Sequence, residues 1–586
     1  AAATDAAFAG AARIVRLSAL NQRVSATPME TRSALGTFDP ATGGHTLYAP
    51  SQGVHRHKMA LTAVFGVDDD RVRVVTPDVG GGFGQRTPCY PEYALVVWAA
   101  RRCGRPVKWS ATRSDSFLSD FQARDVFSEG ELALDADGRF LAVRATHLAN
   151  LGAYAITFSV IANVLRMAGG PYVIPAMHVV AKAAFSNTIP ISVYRGAGRP
   201  EVTHLLERMI DIAAQETGLD RAEIRRRNLI PDAALPYRTP LGHVYDSGAF
   251  AENMDIALRR IDWAGFPGRR DAARRRGLCA GIGVVTYLES PSGAPMERAD
   301  IAVLPDGGVV ASIGTQASGQ GHETSFAQVV ATALELPLDR VSVVFGDSDR
   351  ERAGGGTHSD RSMRLGGTVL LRASETILAQ ARMRAADLLE AAPADLGYAD
   401  GRFAIVGTDR SVGLAEIASA APLTATDIFA GRLHANPNGV VACEVELDPE
   451  TGALRILRYV TVDDVGTVVN PMIVEGQVHG GIAQGAGQAL GEHCVYDGDG
   501  QYLAASFLDY GLPRADDLPS FDVTVNSRTA PSNPLGVKGA GECGTTPATA
   551  AIAAALVDAL APFGVRHVEM PFTPERLWRA ARVAPD

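Results

Sequence analysis

Glycine-rich loops with polar tips constrain this chain more than any other feature, because five of them are spread over both halves of the sequence. They are Asp78-Val-Gly-Gly-Gly-Phe-Gly-Gln-Arg, Tyr194-Arg-Gly-Ala-Gly-Arg-Pro-Glu, Gly314-Thr-Gln-Ala-Ser-Gly-Gln-Gly-His-Glu, Gly354-Gly-Gly-Thr-His-Ser-Asp-Arg-Ser and Gly476-Gln-Val-His-Gly-Gly. Loops without Cβ atoms let backbone N–H groups approach a ligand closely. Nucleotide folds of the simple kind concentrate phosphate recognition in a single βα turn. Five dispersed loops imply instead one large polar ligand gripped from several sides, with each of its buried polar atoms needing a partner. None of the loops has the G-x-G-x-x-G or the Gly-Lys-Ser/Thr spacing, so neither a dinucleotide fold nor an ATP loop is indicated.

A sixth stretch, Gly536-Val-Lys-Gly-Ala-Gly-Glu-Cys-Gly-Thr-Thr-Pro, places one carboxylate, Glu542, between glycines. The alanine-rich run after it predicts a helix over 548–560, with Thr545 or Thr546 as its cap and Pro547 in its first turn. A helix N-terminus favours negative charge, so Glu542 is suited to accept a proton. Taken alone, it fits a capping arrangement equally well.

With 586 residues, 46% of them hydrophobic, the chain should divide into at least two cores. The weakening periodicity between Pro231 and Arg276 sets the expected division at 1–240 and 241–586. A net charge of −10 argues against nucleic acid or acidic membranes as main partners. No run of eighteen apolar residues predicts a membrane span. The six cysteines are scattered without a CxxC, which argues against an iron–sulfur cluster or structural zinc on this chain and fits a reducing, cytoplasmic setting. His322-Glu323 is not a zinc motif, because Phe326 stands where the second histidine belongs.

Further along, the pattern predicts a helix over 4–15, an irregular stretch over 21–50, and strand-like segments over 131–180. Amphipathic helices are expected over 203–217, closed by Gly218, and over 367–389.

Four motifs in order, Gly80-Gly-Gly-Phe-Gly, Tyr194-Arg-Gly-Ala-Gly-Arg-Pro-Glu, Gly319-Gln-Gly-His-Glu-Thr and Lys538-Gly-Ala-Gly-Glu, resemble the molybdenum-binding large subunit of the xanthine dehydrogenase family of molybdenum hydroxylases. The likeness leans to the branch named after carbon monoxide dehydrogenase large subunits and runs from Thr4 to about Arg579. It implies an α+β fold of two molybdopterin-binding α/β domains with the cofactor buried between them. The cofactor it implies is molybdopterin cytosine dinucleotide, carrying molybdenum with oxo, sulfido and hydroxo ligands and no direct protein ligand.

By the same resemblance Gln52 lies beside the oxo ligand, Gly82, Phe83 and Gly84 pass close to it, and Arg195, Gly196 and Ala197 form a loop over the metal. Gln320, Gly321, His322, Thr357, Arg361, Ser362, Gln477 and Gly541 would contact the pterin and nucleotide, and Tyr287 and Glu289 would line the substrate pocket with Ala197. Glu542 matches the family's base, which takes the proton of the hydroxo ligand as its oxygen attacks an electron-poor carbon and hydride passes to sulfur. The expected reaction is hydroxylation of an N-heterocyclic aromatic compound with water-derived oxygen. Oxidation of aldehydes by the same residues is the alternative, and a non-catalytic cofactor-binding or assembly subunit is the alternative of another class.

The expected partners are a small [2Fe-2S] subunit and a medium FAD subunit, in a dimer of heteromers. Family large subunits begin with a further α/β hammerhead domain that this sequence lacks; the expectation is a separate hammerhead chain as a further partner, with removal of the domain as the alternative. Some residues depart from the family pattern. Gly196 stands where carbon monoxide enzymes carry a copper-binding cysteine, Ala197 replaces the aromatic that flanks purines, and Thr87 stands near their purine-binding glutamate. Asp360 and Met363 replace small hydroxyl residues.

Overall fold

The computed structural model describes residues 1–582. Helices and sheets are mixed along the whole chain, and the sheets are mainly antiparallel with single parallel edge pairs. In the first half, Arg13–Asn21, Val126–Leu134, Phe140–Asn150 and Ala176–Ala184 form one four-stranded sheet in that order. A second sheet runs Val72–Val75, Gly44–Tyr48, Ser33–Asp39, Val107–Ser110. The second half contributes a sheet ordered Cys279–Leu288, Asn438–Leu447, Leu454–Asp464, Phe521–Val525, and another ordered Val341–Val344, Val309–Ile313, Met296–Val303, Leu423–Ala430.

The strand Asn438–Leu447 is buried along its whole length, and its alternation shares out two cores. Val440 joins the first-half core with Leu205 and Met209, while Val441, Cys443 and Val445 face the terminal helix Thr545–Leu560. Side chains one residue apart on a strand point to opposite faces, so this one strand ties the first half to the C-terminal region. The terminal helix meets the sheet at very short range. A Cβ on Gly281 would lie 2.0 Å from the Ala555 carbonyl oxygen, and one on Gly283 would lie 2.6 Å from the Ala554 methyl. This segment, taken as Thr545–Phe563, is also long and apolar enough to cross a membrane, but 78% of its most apolar window is buried in the protein.

Several local expectations change. The helix expected over 4–15 spans Ala2–Ala9 and stops at Gly10; the alternating Arg13-Ile-Val-Arg-Leu-Ser that follows pairs as a strand instead. The stretch 21–50 is not irregular, since it holds the hairpin Ser33–Asp39 and Gly44–Tyr48. A short helix, Ser159–Arg166, lies within the segment read as strands. Two helices, Phe250–Ile261 and Phe266–Arg275, occupy the region where the division was expected.

The fifth glycine loop is a helix, Pro471–Leu490. Its glycines serve packing, not chain reversal: a Cβ on Gly481 would come 2.9 Å from Gly544 Cα, and one on Gly485 2.5 Å from the Ala548 methyl. The expected threonine caps are not caps either. Thr545 and Thr546 lie inside the terminal helix, and their hydroxyls donate to Gly481 O and to Glu289.

The Gly281 contact gives the first test. Gly281→Val forces the helix off the sheet at a cost of at least about 1–3 kcal/mol. The thermal unfolding midpoint should fall clearly below that of the wild type, and an unchanged midpoint would refute the close contact.

Candidate active site

One large cavity, about 1170 Å³, is lined by loops from both halves. This exceeds the usual range for a small-molecule pocket, about 300–1,000 Å³, and suits a ligand of dinucleotide size. Its wall includes Gln52, Gly82, Phe83, Gly84, Arg195, Ala197, Gln320, His322, Thr357, Arg361, Ser362, Gln477, Gly541 and Glu542. Gly196 and Gly321 are not in the wall but sit directly behind it, each at positive φ.

Glu542 ends the loop after Gly541, and its carbonyl accepts from the N–H groups of Thr545 and Thr546, which begin the terminal helix. Its carboxylate accepts from the Gly196 N–H at 2.9 Å and from Arg199 Nη1 at 2.5 Å. The side chain is 15% exposed, whereas that of Arg199 is fully buried. Arg199 spends its other Nη donors on Gly196 O, Ser290 O and Ser292 Oγ, and its Nε lies in ion-pair contact with the Glu289 carboxylate without hydrogen-bond geometry. A guanidinium can satisfy two carboxylates at once because its five N–H groups form a rigid fork. Glu542 is therefore fixed by two donors and faces the cavity.

Gln52 is held as firmly. Its Oε1 accepts from the N–H groups of Gly84 at 2.8 Å and Arg86 at 3.3 Å, and one Nε2 hydrogen goes to Thr357 O at 2.9 Å. The second Nε2 hydrogen is left for a ligand. Gly82 makes room for this amide, since a Cβ there would lie 2.8 Å from Gln52 Cδ, and Gly356 makes room for the Gln52 backbone, since a Cβ there would lie 2.2 Å from its carbonyl oxygen.

Other expected ligand contacts line the cavity and are also tied into the surrounding protein. Arg361, fully buried, pairs with Glu297 at 2.6 Å and donates to Met296 O and Ala294 O, so its charge is spent within the protein. Ser362 bonds Thr315 and Thr357, and Thr357 Oγ1 also accepts from Gln320 Nε2 at 2.8 Å. Arg195 clamps its loop to Gly541 O, to Gln484 Oε1 and to both oxygens of Gln477. His322 stacks on Phe326 with centroids 4.6 Å apart, and burial lowers its pKa to about 4, which keeps it neutral.

Tyr287 and Glu289 do not line the cavity, contrary to expectation. The Tyr287 hydroxyl donates to Asp463 at 2.5 Å, and Glu289 lies behind Arg199, where burial raises its pKa well above the ordinary carboxylate value despite that neighbour. Tyr287, in the strand Cys279–Leu288, and Glu289, just past its end, are both buried.

Two contributors were not read as site residues from the sequence. Arg199 was visible only as the second arginine of the Tyr194–Glu201 motif. Asp360 was noted as a departure, without a role. One carboxylate oxygen each from Asp360, Glu542 and Glu289 lies within 4.8 Å of the others. Among the described residues neither oxygen of Asp360 has a hydrogen-bond partner. Burial, and next the charge of Glu542, raise the Asp360 pKa to about 7. Asp360 and its neighbour Ser359 also have positive φ, as do Phe83 and Ala197 on the same cavity wall. Such backbone costs of order 1–3 kcal/mol each, and it concentrates where a ligand site is preorganised.

Patterns for molybdopterin cofactor-binding domains match residues 2–229 and 256–519. The chain is 34% identical to the carbon monoxide dehydrogenase large chain of Hydrogenophaga pseudoflava, over 99% of this chain and 76% of that one. It is also 34% identical to the nicotine 6-hydroxylase large subunit of Paenarthrobacter nicotinovorans, over 99% of this chain and 74% of that one. Among solved structures, quinoline 2-oxidoreductase from Pseudomonas putida 86 superposes with a TM-score of 0.94 at 33% identity, covering 99% of this chain and 78% of that one.

The Asp360 geometry gives a pH test on the cofactor-free chain. In the folded protein this carboxyl keeps its proton up to about pH 7, whereas in the unfolded chain it releases it near about 3.9. Its contribution to stability is therefore lost as pH rises through that window. Asp360→Asn carries no such penalty, so its unfolding midpoint relative to wild type should rise from pH 5 to pH 8. A difference that is flat with pH would disprove the shift.

Proposed function

The chain belongs to the xanthine dehydrogenase family of molybdenum hydroxylases, as a molybdopterin-binding large subunit and a molybdenum-dependent oxidoreductase, and we propose that it hydroxylates an electron-poor carbon of an N-heterocyclic aromatic compound. The relatives named for nicotine and quinoline support this choice of substrate. Gly196 tells against carbon monoxide: a Cβ there would lie 2.6 Å from the Pro200 ring, so the loop has no room for a copper-holding side chain without rearrangement.

The residues present fit the cofactor. The cavity has the size, its wall supplies amide, hydroxyl and backbone donors in place of a ring of carboxylates, and Gln52 keeps one N–H free. Cys543, nearest to Glu542 in sequence, is buried behind the wall and donates to Gly539 O, so no thiol of this chain competes for the metal there. We assign the pterin to the wall formed by Gln320, Thr357 and Gln477, and the metal end to the space between Gln52 and Glu542. The cytosine dinucleotide form is part of the proposal, supported by the cavity volume.

When bound, the molybdenum pterin supplies two-electron oxidation; everything else falls to the chain. Glu542 is the base. Its carboxylate accepts the proton released as the substrate carbon is attacked, and Gly196 and Arg199 hold it at the cavity wall while it does so. The Gln52 amide orients the polar end of the cofactor, and Ala197, with no side chain beyond Cβ, leaves space for a ring above Glu542. Electrons leave through partner subunits in this reading, a small [2Fe-2S] chain and a medium FAD chain, since the six cysteines here are all unpaired and scattered.

The single observation that carries the proposal is the doubly anchored carboxylate of Glu542 facing the cavity. Glu542→Gln keeps the shape and removes the base, so kcat should fall by about 10²–10⁴ while molybdenum content stays at the wild-type level. A full rate would overturn the catalytic assignment in favour of a cofactor carrier. Steady-state rates on pyridine and quinoline against benzaldehyde decide between heterocycle and aldehyde; faster aldehyde turnover would reject the substrate class.

A further inference from the structure

The outer wall of the cavity differs in chemistry from its depths. Arg166, at the end of the helix Ser159–Arg166, and Arg432 both line it. The helix is tied to the Ala197 loop, because Asn163 Nδ2 donates to Ala197 O at 2.7 Å. Arg166 is half-buried and donates only to Asn163 Oδ1, at 3.3 Å. Among the described residues neither arginine forms an ion pair with a carboxylate, although most buried or half-buried arginines in this protein do. The neighbours that act on Arg166 are cations: after burial itself, Arg432 and Arg199 lower its pKa. His243 adjoins the same group, its pKa lowered by burial and by Arg166, His434 and Arg432.

Arg166, half-buried, and Arg432, exposed, have no carboxylate partner among the described residues, and an anion placed between them would relieve their mutual repulsion. Beside them the wall is apolar. Met29 and Phe158 are large hydrophobic side chains left 88% and 60% exposed, and both line the cavity together with Ile156. An unpaired cationic pair next to an apolar shelf is complementary to a flat ring bearing a negative group.

We propose that Arg166 and Arg432 bind the carboxylate of the substrate while Met29, Ile156 and Phe158 cover its ring, so that the enzyme acts on heteroaromatic carboxylates. This rests on the reading of the cavity as the site of heterocycle hydroxylation and narrows it. A phosphate of the cofactor offers similar negative charge. The substrate is favoured because the cluster adjoins the Ala197 loop above Glu542, on the side where the ring must lie.

The test uses the assembled holoenzyme with pyridine-3-carboxylate and pyridine-3-carboxamide, which share a ring and differ in charge. Wild type should prefer the carboxylate. In Arg166→Gln and Arg432→Gln the ratio of kcat/KM, carboxylate over carboxamide, should fall by about tenfold, mainly through KM, as expected for loss of a hydrogen bond to a charged group. Molybdenum and phosphate contents should match the wild type. An unmoved ratio would overturn the proposal; loss of molybdenum or phosphate would overturn it too, by giving the arginines to the cofactor. If neither pyridine is turned over, the pyridine, quinoline and benzaldehyde rates judge the heterocycle reading, and benzoate binding to the same holoenzyme, measured by calorimetry, judges the anion site separately. Binding that weakens about tenfold in Arg166→Gln supports the site, and no binding to the wild type rejects it. Both arginines are at least partly solvent-accessible, so unfolding midpoints should stay close to wild type and confirm that the variants are folded.

Discussion

Arg199 is the interaction on which the site depends. It is a fully buried cation between Glu289 behind it and Glu542 in front. Moving a charge out of water is costly, and a buried pair repays that cost only when every donor and acceptor is met with good geometry. Here the two Nη groups also reach Gly196 O, Ser290 O and Ser292 Oγ, while Nε meets Glu289 by charge without a hydrogen bond. The consequence is positional. Three segments, the Gly196 loop, residues Glu289 to Ser292 and the Glu542 loop, converge on one guanidinium. A general base works only within hydrogen-bond reach of the proton it takes, and this convergence sets where that carboxylate stands.

The second constraint is how closely backbone approaches backbone. Strand Cys279–Leu288 and helix Pro471–Leu490 both press against the terminal helix or its leading loop at positions where only glycine fits. The terminal helix is thereby held in the core, and the Glu542 loop, which begins it, inherits that rigidity. The cavity wall holds the compensating strain: Phe83, Ala197, Ser359 and Asp360 all adopt positive φ within it. Close packing elsewhere maintains a conformation that these residues would not adopt alone.

Asp360 shows how a departure from a family pattern acquires meaning only in three dimensions. In sequence it is one acidic residue in a glycine loop. In the fold it faces Glu542 without a hydrogen-bond partner of its own, and its proton affinity rises accordingly. The base therefore stands beside a second carboxyl group whose proton affinity burial has raised.

Much of the site was legible in the chain. The glycine loops, the ordered motifs and the position of Glu542 ahead of a helix are local patterns, and local patterns survive in one dimension because backbone conformation is decided mostly by neighbours in sequence. Helices such as Arg199–Thr217 and Thr368–Leu389 were visible through their periodicity for the same reason. Other features were out of reach. Pro471–Leu490 reads as a glycine loop because glycine is a weak helix former, and only the partner helix explains why it is there. Arg361 and Arg195 line the cavity, but the carboxylate and carbonyls that they bond come into view only in the fold. Sequence alone determined which residue types could do the chemistry and which loops would carry them. Tertiary structure decided which of those side chains remain free to do it, because a charged group's availability depends on partners hundreds of residues away.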